Sequence, residues 1–184
     1  MRVIGGRFRG RSLAGPKSNA IRPTADRLRE ALFNILRHAY GDPVGGARVL
    51  DLFAGTGALG IEAASHGAAF VLFIDDGAEA RALLRENVAA FGLGGVSKVF
   101  RRDATKLGPA YPVEPFLLAF LDPPYGKNLA KAALTSAREG GWLAPDALIV
   151  VEEATKSHFT APEGFTELER RAYADTEFIF LRAF

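Results

Sequence analysis

Apolar residues follow a regular alternation over most of the chain, from about residue 48 onwards. Short, nearly continuous apolar runs predict five strands, at 48–53, 69–74, 96–101, 116–121 and 147–151. Segments whose apolar residues recur every three or four positions predict helices between them, one ending near 66 and others at 78–91 and 128–138. Two last apolar segments, 165–173 and 176–184, predict a closing hairpin. This alternation predicts an α/β fold, with a mostly parallel sheet that is covered by helices on both faces.

The first forty residues have a different pattern. Short apolar stretches interrupted by glycines at 2–13 predict a small β-hairpin, in which alternation places Arg7, Arg9 and Arg11 on one side. A helix follows the hairpin. We therefore predict two parts: a basic hairpin and helix over 1–40 that contact an anionic partner, and an α/β domain over 41–184.

The predicted helix of this extension begins after Thr24, its N-cap, and runs to about Tyr40. Its apolar stripe is formed by residues at helical spacing: Leu28, Ala31, Leu32, Ile35 and Ala39. Arg27 and Arg29 lie on other faces in this pattern. The helix is therefore expected to pack on one side and to be polar elsewhere.

Positive charge is concentrated in the same region. Residues 1–37 hold eight arginines and Lys17 against Asp26 and Glu30, which gives a net charge of +7, whereas the whole chain has a net charge of +2. Such a segment is typical of a surface that meets an anionic polymer, although a solvated basic terminus has the same composition. Arg7, Arg9, Arg11 and Lys17 are candidates for phosphate contacts, which give affinity without sequence choice.

Composition also narrows the possible chemistry. The chain has no cysteine, which excludes disulfides, zinc–thiolate clusters and thiolate catalysis. Its three histidines do not have a spacing that fits metal ligation, so we expect no metal site. The amino terminus lacks the apolar core of a signal peptide, and no apolar run reaches membrane-spanning length. A cytoplasmic protein without a membrane segment is therefore expected.

A glycine-rich loop follows the first predicted strand. The segment Asp51-Leu-Phe53-Ala54-Gly55-Thr56-Gly57-Ala-Leu-Gly60 combines a strand end, a tight turn and a helix start, and glycine allows the backbone to approach a ligand closely. Gly55, Gly57 and Gly60 also fit the dinucleotide pattern, with Asp75 twenty residues after Gly55 to bind ribose hydroxyls. An NAD-dependent enzyme is therefore one interpretation.

Acidic residues beside the loop favour a different nucleoside. A dinucleotide places its anionic pyrophosphate at the helix N-terminus, where Asp51 would repel it. S-adenosylmethionine carries a sulfonium and an ammonium group instead, and these are attracted by an acid. Asp103, after the third strand, is placed to bind an adenine amine. Asp51, Asp75 and Asp103 can each be turn or cap residues, but three acids at successive strand ends favour a ligand site.

The motif Asp122-Pro123-Pro124-Tyr125 follows the fourth predicted strand and is the most informative signal in the chain. Two prolines make the loop stiff, so the Asp122 carboxylate and the Pro123 carbonyl are fixed acceptors. Two hydrogen bonds from an exocyclic base amine would localise and orient its lone pair for in-line attack on a methyl group. Tyr125 offers an aromatic face for an unstacked base. A surface turn is the alternative interpretation.

These residues resemble class I methyltransferases with a D-P-P-Y motif, and more specifically the RsmD family of 16S ribosomal RNA guanine-N2 methyltransferases. The similarity covers nearly the whole chain. It includes the opening 2–11, the segment from Arg22 to Asn34, the loop 51–57 and the motif 122–125. The segment from Arg22 to Asn34 is the specific part, because the glycine loop and the D-P-P-Y motif are shared far more widely.

The resemblance implies a Rossmann-like, seven-stranded sheet whose last strand is antiparallel, S-adenosylmethionine as the methyl donor, and a monomer. It implies a target guanine, conventionally numbered 966, in 16S RNA of a partly or fully assembled small ribosomal subunit. A DNA adenine-N6 methyltransferase and a non-catalytic RNA-binding protein are alternatives.

The resemblance also implies roles for individual residues. The catalytic group is the motif itself: Asp122, Pro123, Pro124 and Tyr125. The residues that bind the cofactor are those of the strand ends: Asp51, Phe53, Ala54, Gly55, Thr56, Gly57, Asp75, Asp76, Arg102, Asp103 and Ala104. Arg22, Thr24 and Arg27 either close the carboxylate end of the cofactor or contact RNA phosphate. Glu152 and Glu153 end the fifth strand, either solvated or at the border of the site.

Overall fold

Strands and helices alternate as the sequence pattern predicts. The computed structural model describes residues 1–17 and 24–184, and within these ranges seven strands form one sheet in the order β3-β2-β1-β4-β5-β7-β6. The strands are β1 Arg48–Leu52, β2 Phe70–Ile74, β3 Ser97–Phe100, β4 Phe116–Leu121, β5 Leu143–Ala154, β6 Phe165–Tyr173 and β7 Thr176–Ala183. The helices are α1 Asp26–Ala39, α2 Ala58–Ser65, α3 Ala78–Ala90 and α4 Leu129–Glu139. Short 3₁₀ turns lie at Gly6–Phe8, Ala104–Lys106 and Thr155–Ser157.

The first five strands are parallel, and β7 is antiparallel to both of its neighbours, β5 and β6. This confirms the sheet that the resemblance implied. β5 begins at Leu143 rather than at residue 147, because Leu143 pairs with Phe116 across a register shift. The sequence pattern does not predict this extension, because Pro145 and Asp146 interrupt the apolar run. The backbone of Asp146 has a positive φ of 62° at this point.

Helices cover both faces of the sheet. α1, α2 and α3 pack on one face, where Leu32, Ile61 and Leu84 meet Phe73 and Phe120. α4 packs on the other face, against alternate residues of the same strands. The alternation follows from the strand geometry, since successive side chains point to opposite faces. The predicted α/β architecture is thereby confirmed.

α1 differs from its prediction in three details. Its N-cap is Ala25, whose methyl side chain cannot make a capping bond, and the hydroxyl of Thr24, the predicted N-cap, lies within hydrogen-bond distance of two carboxylates at the end of the sheet. Arg29, expected on a polar face, is completely buried, where it pairs with Glu62 of α2 and with Asp26. Ala39, expected in the apolar stripe, is exposed, and the buried stripe contains Phe33 and Leu36 instead.

The N-terminal segment, residues 2–13, is a closed loop rather than a regular β-hairpin. Its antiparallel pairing is limited to a bridge between Arg2 and Ser12, with Val3 N–H donating to the Arg11 carbonyl at 2.9 Å. The 3₁₀ turn Gly6–Phe8 interrupts the extended backbone, so the alternation that placed Arg7, Arg9 and Arg11 on one side does not apply. Arg11 lies over the Phe91 ring at the end of α3.

Candidate active site

A cavity of about 490 Å³ opens where β1, β2 and β4 end. Ligands of open α/β sheets bind at this edge, and the volume suits a nucleoside-sized molecule. The residues that line it come from the three strand ends, from the starts of α2 and α3 and from the segment before α1: Thr24, Asp51, Phe53, Ala54, Gly55, Thr56, Ala58, Leu59, Asp75, Asp76, Gly77, Ala78, Glu79, Ala80, Asp122, Pro123, Pro124 and Tyr125. The structure therefore brings the glycine loop and the D-P-P-Y motif to one cavity.

The glycine loop turns sharply between β1 and α2. Gly55 and Gly57 have φ values of +59° and +83°, which favour glycine. Gly57 is the N-cap of α2, and its N–H donates to the Ala54 carbonyl at 2.8 Å. Gly60 lies so close to the sheet that an added Cβ would overlap Phe73 and Val71. The three glycines of the pattern thus serve the turn and the close approach of α2 to the sheet.

Asp51 is 1% exposed at the end of β1, and its Oδ2 accepts a 3.0 Å hydrogen bond from Gly60 N–H. Burial raises the pKa of this carboxyl well above its ordinary value; the Gly60 bond opposes that shift, and the negative charges of Asp122 and Asp75 add to it. A cation placed beside this buried carboxyl group would stabilise its ionised form. The cavity is therefore electrostatically suited to a positively charged ligand and unsuited to a pyrophosphate.

Asp75 connects the two loops that border the cavity. Its Oδ2 accepts from Gly55 N–H at 2.9 Å and its Oδ1 from Gly77 N–H at 2.8 Å. Each carboxylate oxygen can accept a further hydrogen bond, so ribose hydroxyls remain suitable partners. Asp76, the next residue, lies exposed at the cavity wall, and its carbonyl accepts from Arg81.

The D-P-P-Y loop is held at both ends by hydroxyl groups. Asp122 Oδ2 accepts from the Thr24 hydroxyl at 2.8 Å. The Tyr125 hydroxyl lies 2.6 Å from the Thr176 hydroxyl and 3.3 Å from Glu152 Oε1. The carboxylate and the aromatic ring therefore have defined positions, with Pro123 buried and Pro124 exposed between them.

Sequence reasoning underestimated two residues of this region. The sequence predicts Thr24 as the N-cap of α1 and leaves Glu152 open between a solvated strand end and the border of the site. In the structure Glu152 is 1% exposed and accepts from Thr24 at 3.0 Å. The signal for Glu152 is register: Leu121 of β4 pairs with Val151 of β5, so Asp122 and Glu152 lie at the same level of the sheet. Glu153 is also buried, but it lines a second groove of about 1020 Å³ beside α4.

Four predicted cofactor residues do not line the cavity, and one of them, Gly57, forms the turn before α2 instead. Arg102 donates to the Leu107 carbonyl at 2.9 Å, and Ala104 is buried in the core of the α4 face. Asp103 is exposed and caps the turn Ala104–Lys106 by accepting from the Thr105 N–H and hydroxyl, which lower its pKa.

The candidate RNA contacts lie in two places. Arg7, Arg9 and Arg11 are exposed near the carboxyl ends of α2 and α3, with the Arg11 guanidinium bonded to the Ala90 carbonyl. Lys17 and Arg27 are exposed closer to the cavity, and the Lys17 N–H donates to Glu79 at 3.2 Å. Arg22 lies outside the residues that the structure describes.

The described part of the chain, residues 1–17 and 24–184, contains no cluster of three or more acidic or histidine side chains arranged to hold a metal ion. None of its helices is both long enough and apolar enough to cross a membrane.

Known proteins resemble this chain over almost its full length. The model of the family described as Conserved hypothetical protein 95 matches residues 1–182. Ribosomal RNA small subunit methyltransferase D of Escherichia coli (strain K12) is 38% identical over 157 residues, which are 85% of this chain and 76% of that protein. The protein of the same name from Haemophilus influenzae is 34% identical over 173 residues, covering 93% of this chain and 88% of its own length.

Solved structures show the same similarity. The Escherichia coli protein yhhF superimposes with a TM-score of 0.84 at 31% sequence identity, over 100% of this chain and 97% of that one. The strand order and the antiparallel β7 are those of class I methyltransferases. The chain therefore belongs to the family described as Conserved hypothetical protein 95, the RsmD family, and has the class I methyltransferase fold.

Proposed function

We propose that this chain transfers a methyl group from S-adenosylmethionine to the exocyclic N2 amine of a guanine in 16S ribosomal RNA, conventionally guanine 966. The names of the relatives from Escherichia coli and Haemophilus influenzae support an rRNA substrate from the small subunit. The proposed partner is a partly or fully assembled small ribosomal subunit, and the proposed state is a cytoplasmic monomer.

The observation that carries this proposal is the placement of Asp51 and Asp122 in one cavity. Asp51 of β1 pairs with Phe120 of β4, two residues before Asp122, so both carboxylates lie on the same face of adjacent strands. One is buried and the other borders the cavity beside a tyrosine ring. This arrangement suits a cationic methyl donor next to a planar amine.

The residues present fit S-adenosylmethionine, which when bound supplies a methyl group on a positively charged sulfur. Asp51 has a raised pKa that a nearby cation would lower, and Asp75 can accept from ribose hydroxyls. Phe53, Ala54, Gly55, Thr56 and Asp76 would form the remaining wall, and Gly57 would keep the loop in its turn beside the cofactor. Arg102, Asp103 and Ala104 are proposed for the adenine end, although they lie outside the cavity lining. NAD fits less well, because its pyrophosphate would lie beside the buried Asp51.

The D-P-P-Y loop would bind the target base. Asp122 and the Pro123 carbonyl accept hydrogen bonds from the amine, which makes its lone pair available for attack. Tyr125 stacks on the base, and Pro124 keeps the loop stiff. Arg7, Arg9, Arg11, Lys17, Arg22 and Arg27 would contact RNA phosphates.

The first test is Asp122→Ala with labelled S-adenosylmethionine and small-subunit RNA. We expect kcat to fall by about 100-fold or more, because a preorganised polar partner of the reacting group is lost. Asp175→Ala, an exposed acid in the turn between β6 and β7, is the control and should retain activity. Near wild-type turnover in Asp122→Ala contradicts the proposed role.

A second measurement identifies the substrate and donor. Mapping methylated nucleotides in RNA from cells with and without the protein should reveal one guanine that loses its N2 methyl group. Methylation of DNA adenine instead would replace the proposed substrate. Calorimetry that detects binding of NAD but not of S-adenosylmethionine would overturn the proposed chemistry.

A further inference from the structure

Three carboxylates lie on one face of the sheet at the ends of neighbouring strands. Asp51 is level with Phe120, and Leu121 is level with Val151, the residue directly before Glu152. Because side chains alternate along a strand, Asp51, Asp122 and Glu152 all point to the face covered by α1 and α2. The proposed function gives roles to the first two. It leaves Glu152, which is 1% exposed, without one.

Glu152 contacts both ends of the D-P-P-Y loop through hydroxyl groups. Its Oε2 accepts from the Thr24 hydroxyl at 3.0 Å, and that same hydroxyl lies 2.8 Å from Asp122 Oδ2. Its Oε1 lies 3.3 Å from the Tyr125 hydroxyl. Thr24 is 5% exposed, so water has little access to these bonds. The buried carboxylate is therefore linked to the proposed amine acceptor by one side chain.

The proton count of this group is informative. A threonine hydroxyl has one proton to donate, yet the Thr24 oxygen lies within hydrogen-bond distance of two carboxylate oxygens. It can donate to only one of them at a time. The other contact becomes a hydrogen bond when the second carboxyl group carries a proton and donates to the hydroxyl oxygen. The group Asp122–Thr24–Glu152 thus gains a hydrogen bond when it takes up one proton.

We propose, building on the proposed function, that Thr24 and Glu152 are positioning residues that complete a proton-accepting unit with Asp122. During transfer the amine nitrogen bonds to the methyl carbon, the carbon–sulfur bond breaks, and sulfur keeps the electron pair as a neutral thioether. The nitrogen, now positively charged, releases one proton to Asp122. Asp122 then donates to the Thr24 oxygen while Thr24 donates its own proton to Glu152. After the product leaves, the unit returns the proton to water through Asp122.

Charged and titratable groups around the unit affect where it titrates. Asp51 of β1 interacts electrostatically with Asp122, and its negative charge favours proton uptake. Arg29 of α1 donates from Nε to the Thr24 carbonyl at 3.3 Å, and its positive charge opposes uptake. Tyr125 faces Glu152 from the loop, and the neutral Thr176 faces Tyr125 from β7. A negative charge on Glu152 favours the protonated form of the neighbouring Asp122. Removal of this charge should therefore lower the pKa of Asp122.

The test compares Glu152→Gln, Thr24→Val and the double variant in methyl transfer to small-subunit RNA. We expect each single variant to lower kcat by about 10- to 100-fold, which is less than the loss of the proton-accepting group itself would cause. The dissociation constant of S-adenosylmethionine should stay unchanged in Glu152→Gln, because Glu152 does not line the cavity. The double variant should be no slower than either single variant, because the two residues act as one unit. Thr24→Ser, which restores the hydroxyl, should recover most of the activity.

A matched control and a measurement on the free protein separate this role from a structural one. Glu153→Gln changes a buried acid of the same strand that points to the opposite face, and it should keep wild-type kcat. Carbon-13 NMR of the Asp122 carboxyl should show titration at a lower pH in Glu152→Gln than in the wild type. A purely structural change would alter the melting temperature without this shift.

The outcomes distinguish the two proposals. Absence of methyl transfer by the wild type would overturn the proposed function, and the Asp122 titration would then decide whether the unit exists. An active wild type with unchanged kcat in Glu152→Gln and Thr24→Val would overturn the unit alone. Multiplying effects in the double variant, or an Asp122 titration that does not move, would also overturn it.

Discussion

Asp51 shows how a buried acidic residue lowers the stability of the protein that contains it. Its carboxyl has a pKa well above the ordinary value, mainly because it is buried. The native state therefore holds the proton more tightly than the unfolded chain does. The free energy of unfolding must then decrease as the pH rises from the ordinary pKa of an aspartate through the raised native value. A bound cation would reverse this cost, since it favours the ionised carboxylate.

Asp51→Asn tests this trade-off. The asparagine oxygen can keep the Gly60 hydrogen bond while the buried charge is removed. We expect the variant to melt at a higher temperature than the wild type at about pH 8, and the difference to shrink on acidification as Asp51 takes up its proton. Affinity for S-adenosylmethionine should fall by about 10- to 100-fold, because a hydrogen bond to a charged group is lost.

Thermal melts over a pH series and calorimetry measure the two effects. Asp175→Asn, which changes an exposed acid, is the control and should show neither. A wild type that is more stable than Asp51→Asn at about pH 8 would contradict the argument from burial.

Single residues also mark the limit of inference from sequence. Asp51 and Asp122 could be predicted as site candidates because Asp51 lies near the end of an apolar strand and Asp122 directly follows one, each within a recognisable local motif. Thr24 and Glu152 could not, because they meet only after α1 has packed on the sheet and β4 and β5 have paired in register. Asp103 follows the third strand as predicted, but its Oδ1 accepts hydrogen bonds within its own turn, outside the cavity lining.

At the scale of elements, a buried ion pair joins the N-terminal segment to α1 and α2. Glu62 of α2 is fully buried and accepts from Gly5 N–H at 2.8 Å, from Ile4 N–H at 3.0 Å and from Arg29 at 3.3 Å. α2 begins directly at the glycine loop. The N-terminal segment and α1 are therefore attached to the helix that follows the proposed cofactor loop.

The N-terminal segment packs so closely against α2 that position 6 has no room for a side chain. Gly6 has a φ of +72°, and a Cβ at this position would overlap the Ser65 carbonyl at the end of α2. Gly6→Ala should lower the free energy of unfolding by about 2–5 kcal/mol, since it adds a steric overlap to the cost of a left-handed alanine. Urea denaturation measures the loss.

Gly10→Ala provides the matched control. Gly10 has a similar φ of +85°, but no atom lies within 4 Å of an added Cβ. This variant should lose only the conformational cost, about 1–2 kcal/mol. Equal losses in Gly6→Ala and Gly10→Ala would show that the contact with α2 does not anchor the segment.

Local periodicity in the sequence predicted α2, α3 and the strands to within a few residues. The exception is β5, which is longer than predicted. The N-terminal segment was predicted less well, because its shape depends on α2. Arg29, which the sequence predicts on a polar face, is 33 residues away from Glu62, and the burial of each charge requires the other. Charge pairing between distant elements leaves no periodic signal.

At the scale of the whole molecule, the basic N-terminal segment and the candidate active site lie at opposite ends of α3. Glu79 in the first turn of α3 lines the cavity, whereas Arg11 contacts Ala90 and Phe91 at its other end. Thirteen helical residues separate these ends by about 20 Å, given a rise of 1.5 Å per residue. An RNA that contacts both must therefore extend along the surface over this distance, which a short fragment around the target base cannot do.

The double variant Arg7→Ala/Arg9→Ala tests whether a long RNA uses this path. Both side chains are exposed, and loss of two phosphate contacts should raise KM for small-subunit RNA and reduce the slope of log KM against log salt by about 1–2. The kcat should be unchanged, because neither residue reaches the cavity. Steady-state kinetics at several salt concentrations, with full-length RNA and with a short hairpin that carries only the target region, measure these effects.

Arg37→Ala, which removes an exposed charge from the end of α1, should leave the salt slope unchanged. If the double variant raises KM equally for the short hairpin and the full-length RNA, the arginines do not bind RNA at a distance from the target base, and the path along α3 is wrong.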